Sequence, residues 1–308
     1  MKQAIIDIGS NSMRLTVYET DGKAFRPLFR EKVMAGLAGY VEKDALSPEG
    51  LERAVAGLRE FKSTAEILGI NNMAVFATAS LRNISNTKEA LAAIKEATGY
   101  AVDLISGREE ALYGYAGAMV ELGLSRGAFV DIGGASTEIA SFSPGEPVSG
   151  LSFGIGSLSL YRDCVKKILP GHDALKKLRR VIETEIDSQS LFEFLPRTPL
   201  ACVGGTSRAV LKLAGKLYSL PPDCRRVTAE QLNGLCALLC KGDRAALDLI
   251  LKLEPDRIHT IVPGILILQH ICGLFGAKEI VVSKYGVREG YLCAKVLGNN
   301  TPTPKTES

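Results

Sequence analysis

The stretch Asp131-Ile132-Gly133-Gly134-Ala135-Ser136-Thr137-Glu138 decides the fold, because the chain states it twice. The earlier copy is Asp7-Ile8-Gly9-Ser10-Asn11-Ser12. Each copy follows an apolar run (Ala4 to Ile6; Ala128 to Val130) and precedes another (Leu15 to Tyr18; Ile139 to Phe142). Each reads as a strand, a tight Gly/Ser turn and a returning strand. One small hairpin repeated so far along the chain predicts two copies of one domain facing each other.

The turn has a specific chemistry. Glycine lets backbone approach a ligand closely. Successive N–H groups in such a turn form a concave anion site, to which Ser, Thr and Asn side chains add donors. An Asp at the end of the buried strand, two residues before the Gly, would repel a phosphate unless a cation stood between them. Asp7 and Asp131 are therefore candidates to hold Mg²⁺ or to order a metal-bound water. The plainer alternative is two ordinary hairpins whose polar residues satisfy turn backbone. Duplication favours the phosphate grip.

Outward from the hairpins, each half runs as strands in a meander followed by alternating helices and strands. Ser47-Pro48-Glu49-Gly50 reads as a helix start, with Ser as cap and Pro in the first turn. That helix runs to Gly69. Further helices are expected over Thr87 to Ala97 and from Ser106 through Val120. In the second half they are expected over Asp173 to about Ser188, after Gly204-Gly205-Thr206, and over Ala229–Cys240 and Ala245–Lys252. The last two are Pro263–Phe275 and Val287–Val296. Strands are expected over Met73–Ala77, Val102–Ile105, Pro147–Phe153, Leu200–Val203 and Ile280–Ser283. The pattern is an α/β fold of two mixed sheets flanked by helices, with the cleft between the copies as the ligand site. Residues 1–123 form one domain, 124–285 the other, and 299–308 a loose polar tail.

The 308 residues suffice for two domains. A net charge of +3 does not by itself imply nucleic-acid binding. The N-terminus meets Asp7 too early for a signal peptide. The apolar stretch Ile261 to Ala277 is interrupted by Pro263, Gln269 and His270, and reads as a buried helix rather than a membrane span. The seven cysteines are odd in number, contain no Cys-x-x-Cys pair and mostly sit in apolar runs. They read as reduced core residues of a cytoplasmic protein.

No Gly-x-Ser-x-Gly elbow or Cys/His pattern offers a covalent nucleophile. Water-based phosphoryl transfer needs only positioning, charge neutralisation and a base to orient water. Glu109 and Glu110 open a helix, where acids complement the dipole; a second acid beside the first leaves one free for other work. Arg82, in a Thr/Ser-rich turn, reads either as a phosphate fork or as a surface arginine. Gly204-Gly205-Thr206 is a third phosphate-friendly turn or a simple helix cap. Lys166, Lys167, Lys176, Lys177, Arg179 and Arg180 form either the wet face of a helix or a rail for a polyanion.

Together, Asp7 to Ser12, Ala77 to Arg82 with Asn86, Ser106-Gly-Arg-Glu-Glu-Ala111, Asp131 to Glu138, Gly204-Gly-Thr206 and Ser283-Lys-Tyr-Gly-Val-Arg-Glu-Gly290 resemble the exopolyphosphatase / guanosine pentaphosphate phosphohydrolase family. The resemblance runs in order over nearly the whole chain. It implies two related actin-like, sugar-kinase-like (ribonuclease H-like) domains, with the closing helix, about 286–298, packing back on the first. It implies Glu110 as catalytic base, with Asp131 and Glu138 as further catalytic acids tied to metal and water and Asp7 nearby. It implies a phosphate grip from Ser10, Asn11, Ser12, Arg82 and Gly133, Gly134, Ala135 and Ser136, with Gly205 and Thr206 as a third turn.

The implied cofactor is Mg²⁺ or another divalent cation, and the implied substrate polyphosphate or guanosine pentaphosphate. A non-hydrolytic nucleotide or phosphate sensor is the other reading. Family members often dimerise. Ala135 stands where the family usually has a third glycine, and the chain resembles the short, two-domain members rather than those with an added helical domain.

Overall fold

A computed structural model describes residues 1–146, 148–187, 199–298 and 303–304. The chain divides into two compact units. Unit 1 holds Met1–Val120 and the chain from Val287 onward; unit 2 holds Glu121–Gly286.

Unit 1 opens with β1 (Lys2–Ile8), β2 (Met13–Thr20) and β3 (Ala24–Val33), an antiparallel meander. A 3₁₀ turn, Leu37–Tyr40, and a two-strand ribbon, β4 (Val41–Glu42) with β5 (Ala45–Leu46), lead into α1 (Pro48–Ile67). Ser47 caps α1 by accepting the Gly50 N–H at 3.2 Å, with Pro48 in the first turn. Then come β6 (Met73–Ala77), a one-turn α2 (Ala79–Arg82), α3 (Thr87–Thr98), β7 (Val102–Leu104) and α4 (Gly107–Leu122), whose last two residues belong to unit 2.

Unit 2 repeats the plan: the meander β8 (Gly127–Ile132), β9 (Thr137–Phe142) and β10 (Ser149–Phe153), then α5 (Ser157–Cys164), α6 (His172–Asp187), β11 (Leu200–Val203) and α7 (Gly204–Leu217). It continues through β12 (Arg226–Thr228), α8 (Ala229–Lys241), α9 (Arg244–Leu253), α10 (Ile261–Leu274) and β13 (Glu279–Val282). The chain then re-enters unit 1 as α11 (Val287–Tyr291), which runs into a π-helical turn over Leu292–Val296, and β14 (Thr303–Pro304).

The strand orders are β14-β3-β2-β1-β6-β7 and β10-β9-β8-β11-β13-β12. In each sheet the meander's first strand pairs in parallel with the first βα strand: β1 with β6, β8 with β11. That junction strand is buried on both faces, so β1 reads as an almost unbroken apolar run rather than an alternation. One core fills each unit, around Ile6, Ile8, Leu15, Leu58 and Phe61 in the first and Val130, Ile139, Leu213, Ile265 and Ile280 in the second.

Several elements escaped the sequence reading. α5 has no long apolar stripe and begins on Gly156 and Ser157; α2 is a single turn, too short to carry a periodicity, and its sequence reads as a polar turn. β12 is three residues long. Ser188 and Pro147, at the edges of an expected helix and an expected strand, lie outside the described residues, as does the expected tail apart from Thr303–Pro304. α10 is buried almost throughout, with Pro263 tolerated in its first turn. No helix of the described residues is long and apolar enough to cross a membrane.

Candidate functional site

In unit 1 the candidate residues gather at the C-terminal ends of the parallel strands, where open α/β sheets bind their ligands. β1 ends in Asp7-Ile8, β6 runs into α2 with Arg82, and β7 runs into α4 with Glu110. Ser80 ties these together by donating its hydroxyl to the Ile8 carbonyl at 2.6 Å.

The Gly9–Ser12 turn is anchored by its carbonyls. Ala38 N–H donates to Ser10 O at 2.9 Å and Gly36 N–H to Asn11 O at 3.0 Å. Among the described residues the side chains of Ser10, Asn11 and Ser12 make no hydrogen bond, so their donors stay available. Unit 2 builds its turn in the same way. Gly133 N–H donates to Ser136 O at 2.9 Å, while Ser157, Leu158 and Ser159 at the start of α5 donate to the carbonyls of Gly133 and Gly134 at 2.9 Å. A Cβ added at Gly9 would meet Ser12 O at 3.0 Å; one at Gly133 would meet Ser136 O at 3.1 Å. The two turns share one backbone shape. Ala135 is accommodated without positive φ.

The two adjacent acids of α4 have separate surroundings. Glu109 closes a cap with Ser106: its Oε2 accepts the Ser106 N–H and hydroxyl at 2.8 Å each. The backbone bond from Ser106 holds the Glu109 carboxyl below its usual range. Glu110 turns inward and is buried. Arg82 Nη1 donates to Glu110 Oε2 at 2.9 Å and to the Ile105 carbonyl at 3.0 Å. Arg82 is thus not a surface arginine: it fixes the acid, and its other two nitrogens bond nothing among the described residues.

Asp7 pairs in register with Arg14 on β2. Burial pushes its carboxyl above the usual range, opposed by the guanidinium groups of Arg288 and Arg14 and helped by Glu289. Arg288 and Glu289 come from the closing segment. α11 docks with Tyr291 against Phe76, ring centres 4.7 Å apart. Glu289 accepts the Tyr18 hydroxyl at 2.7 Å, and Arg288 donates to Thr16 at 3.0 Å.

In unit 2, Asp131 lies directly opposite Glu138 across the hairpin, so both side chains share one face. Glu138 is buried and accepts the Ser152 hydroxyl at 2.7 Å. The Asp131 carboxylate packs over Gly204, which has φ 83° and no room for a Cβ. Thr206, buried, donates to the Ile132 carbonyl at 3.1 Å. Arg257 lies over Gly205 where a side chain would otherwise stand. No local motif in the sequence marks this arginine: it arrives from a 3₁₀ turn, Pro255–Arg257, before α10. The basic residues from Lys166 to Arg180 are all exposed.

Among the described residues no three His, Cys, Asp or Glu side chains gather as a ready-made metal cage. Mg²⁺ does not need one, since it keeps several waters and takes one or two carboxylates together with substrate phosphates. The all-oxygen pair Asp131 and Glu138 fits that mode.

The sequence profile of the Ppx/GppA phosphatase family matches residues 16–298. The chain belongs to that family. Exopolyphosphatase 1 of Mycobacterium bovis is 25% identical, over 100% of this chain and 92% of that one. A guanosine-5′-triphosphate,3′-diphosphate pyrophosphatase of Aeromonas hydrophila is 27% identical, over 96% of this chain and 60% of that one. Among solved structures, a Ppx/GppA family member from Aquifex aeolicus superposes with a TM-score of 0.78 at 25% identity, covering 97% of this chain and 99% of the other. The fold is accordingly the two-domain, actin-like α/β fold of this family. The first turn, Asp7 to Ser12, precedes the matched segment, so its likeness to the second rests on the geometry above.

Proposed function

We propose that this chain is an exopolyphosphatase, releasing the terminal phosphate of inorganic polyphosphate by attack of water. The observation that carries the reading is Glu110: a buried carboxylate, fixed by Arg82, at the strand ends that also carry a phosphate-type turn. Phosphoanhydride hydrolysis asks the protein for little covalent chemistry, and mostly for positioning and charge.

In this reading Glu110 orients the attacking water and takes up its proton. Arg82 holds the Glu110 carboxylate with one nitrogen and has two left for a phosphate oxygen. Ser10, Asn11 and Ser12 donate hydrogen bonds to the phosphate chain, as do the amides of Gly134, Ala135 and Ser136, the Gly133 N–H being taken by the Ser136 carbonyl. Gly205 and Thr206, at the start of α7, add a further place for an anion. Asp131 and Glu138 hold Mg²⁺, with Asp7 as the corresponding acid of unit 1. When bound, the ion neutralises phosphate oxygens against the developing charge.

The extent of the match supports polyphosphate: the chain spans 92% of the relative named exopolyphosphatase and 60% of the relative named for the guanosine nucleotide. Hydrolysis of guanosine pentaphosphate is the second reading, favoured by an identity of 27% against 25%. Phosphate release should be followed in parallel from short polyphosphate, long polyphosphate, guanosine pentaphosphate and ATP, with Mg²⁺ and with a chelator. Mg²⁺-dependent release chiefly from polyphosphate is expected. Release chiefly from the guanosine compound would replace the proposal with the second reading, and release from none would overturn both.

A further inference from the structure

α8 ends in a pair of thiols that phosphate chemistry does not use. Cys236 and Cys240 stand one helical turn apart, with their sulfurs separated by 3.9 Å. Their exposure differs: Cys236 is buried and Cys240 is partly open. The Cys236 sulfur lies 3.2 Å from Oε1 of Gln269 on α10. Arg179 of α6 donates to that same oxygen at 3.4 Å, and Gln269 is steadied by its own bond to Asn233 at 2.8 Å. A guanidinium therefore stands beside two neighbouring sulfurs, one sheltered and one reachable.

We propose that Cys236 and Cys240 form a hydroperoxide-reactive dithiol, in which Cys240 is attacked first and Cys236 resolves the product to a disulfide. The Cys240 sulfur attacks one peroxide oxygen and the O–O bond breaks. Cys240 becomes a sulfenic acid, oxidised by two electrons, as the peroxide is reduced to an alcohol or water. The Cys236 sulfur then attacks the Cys240 sulfur. The S–O bond breaks, the S–S bond forms, and the hydroxyl leaves with the thiol proton as water. The hydroperoxide is the only co-reactant.

The order of events follows from the local electrostatics. The hydrogen bond within the pair leaves the proton on Cys236 and holds the Cys240 thiol below its usual range, with Arg179 favouring the anion. The thiolate is the nucleophile, and here it is also the exposed member of the pair. The same bond and burial push Cys236 up, which keeps it inert until the sulfenic acid forms next to it.

The helix resists only modestly. Cβ atoms four residues apart on a helix are about 5–6 Å apart, whereas a disulfide wants about 3.5–4.5 Å. The last turn of α8 must draw inward. Cys240 is the penultimate residue of α8, two residues before Gly242 with φ 61°, and helix ends open at the least free-energy cost.

The proposal stands independently of the phosphatase reading. Its test is limited oxidation of the full chain with hydrogen peroxide, followed by alkylation and peptide mapping of all seven cysteines. Cys240 should be consumed at least about tenfold faster than Cys224, the other partly exposed thiol, and should appear joined to Cys236. In Cys236→Ser the reaction should stop at a sulfenic acid on Cys240, trapped by dimedone. Arg179→Leu should slow the first step. The proposal is overturned if the wild-type chain loses Cys224 as fast as Cys240, or if Cys236→Ser yields no dimedone adduct on Cys240.

Discussion

Arg82 and Glu110 form an ion pair that is largely withdrawn from water: Nη1 of one is 2.9 Å from Oε2 of the other, with the side chains 18% and 10% exposed. A carboxylate this sheltered depends on its partner. Removing one member of a buried pair strands the other charge, which destabilises far more than the pair stabilises. Arg82→Leu should lower stability by roughly 2–4 kcal/mol, the residual exposure keeping it near the low end of the buried range. Urea melts with an unchanged slope would report it. Arg82→Lys should fall between the two, since an ammonium cannot reproduce the guanidinium fork. Equal stability of Arg82→Leu and the parent would mean the pair is incidental.

Glu109, one residue earlier, should behave quite differently. Its role is the cap on α4, and its carboxyl is held below the usual range in the folded chain by the Ser106 backbone. A carboxyl with a lowered folded value contributes stability that is present above the unfolded value, about 4.3. That contribution fades as pH falls through the folded value. Glu109→Gln should therefore flatten the acid limb of the stability curve below about pH 4, and leave turnover at neutral pH within about threefold. Melting temperatures at acid and neutral pH, with one activity assay, check both. An acid limb as steep as the parent's would contradict the cap.

Gly156 holds α5 against the second turn. A Cβ there would stand 2.5 Å from the Gly134 carbonyl carbon and 2.6 Å from the Ala135 nitrogen, backbone atoms that cannot swing aside. Its φ of −143° suits any residue, so the obstacle is contact and not conformation. Gly156→Ala should cost about 1–3 kcal/mol and weaken substrate binding, seen as a higher KM. Gly154→Ala, with nothing within 4 Å of the added carbon, is the control and should be close to neutral.

What could be read from the sequence was what is contiguous in it. The two Asp/Gly/Ser hairpins announce themselves because strand, turn and carboxylate lie within a few residues, and the duplicated sheet order follows from them. Glu110 could be set apart from Glu109 only by family resemblance. Spacing places both in a first helical turn, and the hydrogen bond from Arg82 marks the inward one. Arg257 over Gly205, and Arg288 with Glu289 beside Asp7, join residues distant in sequence, and no period or short motif encodes such contacts. α5 was missed for a related reason. Its register is set by its N–H groups meeting the Gly133 and Gly134 carbonyls, a tertiary bond in place of an apolar stripe.

The central claim is that Glu110 orients the water that attacks the terminal phosphorus. Glu110→Gln keeps the shape and an acceptor for Arg82 while removing the base. Phosphate release from polyphosphate with Mg²⁺, measured alongside polyphosphate binding, tests it directly. Turnover lower by about 10²–10⁴ with binding retained is the predicted result. Turnover near that of the parent chain would contradict the assignment of Glu110.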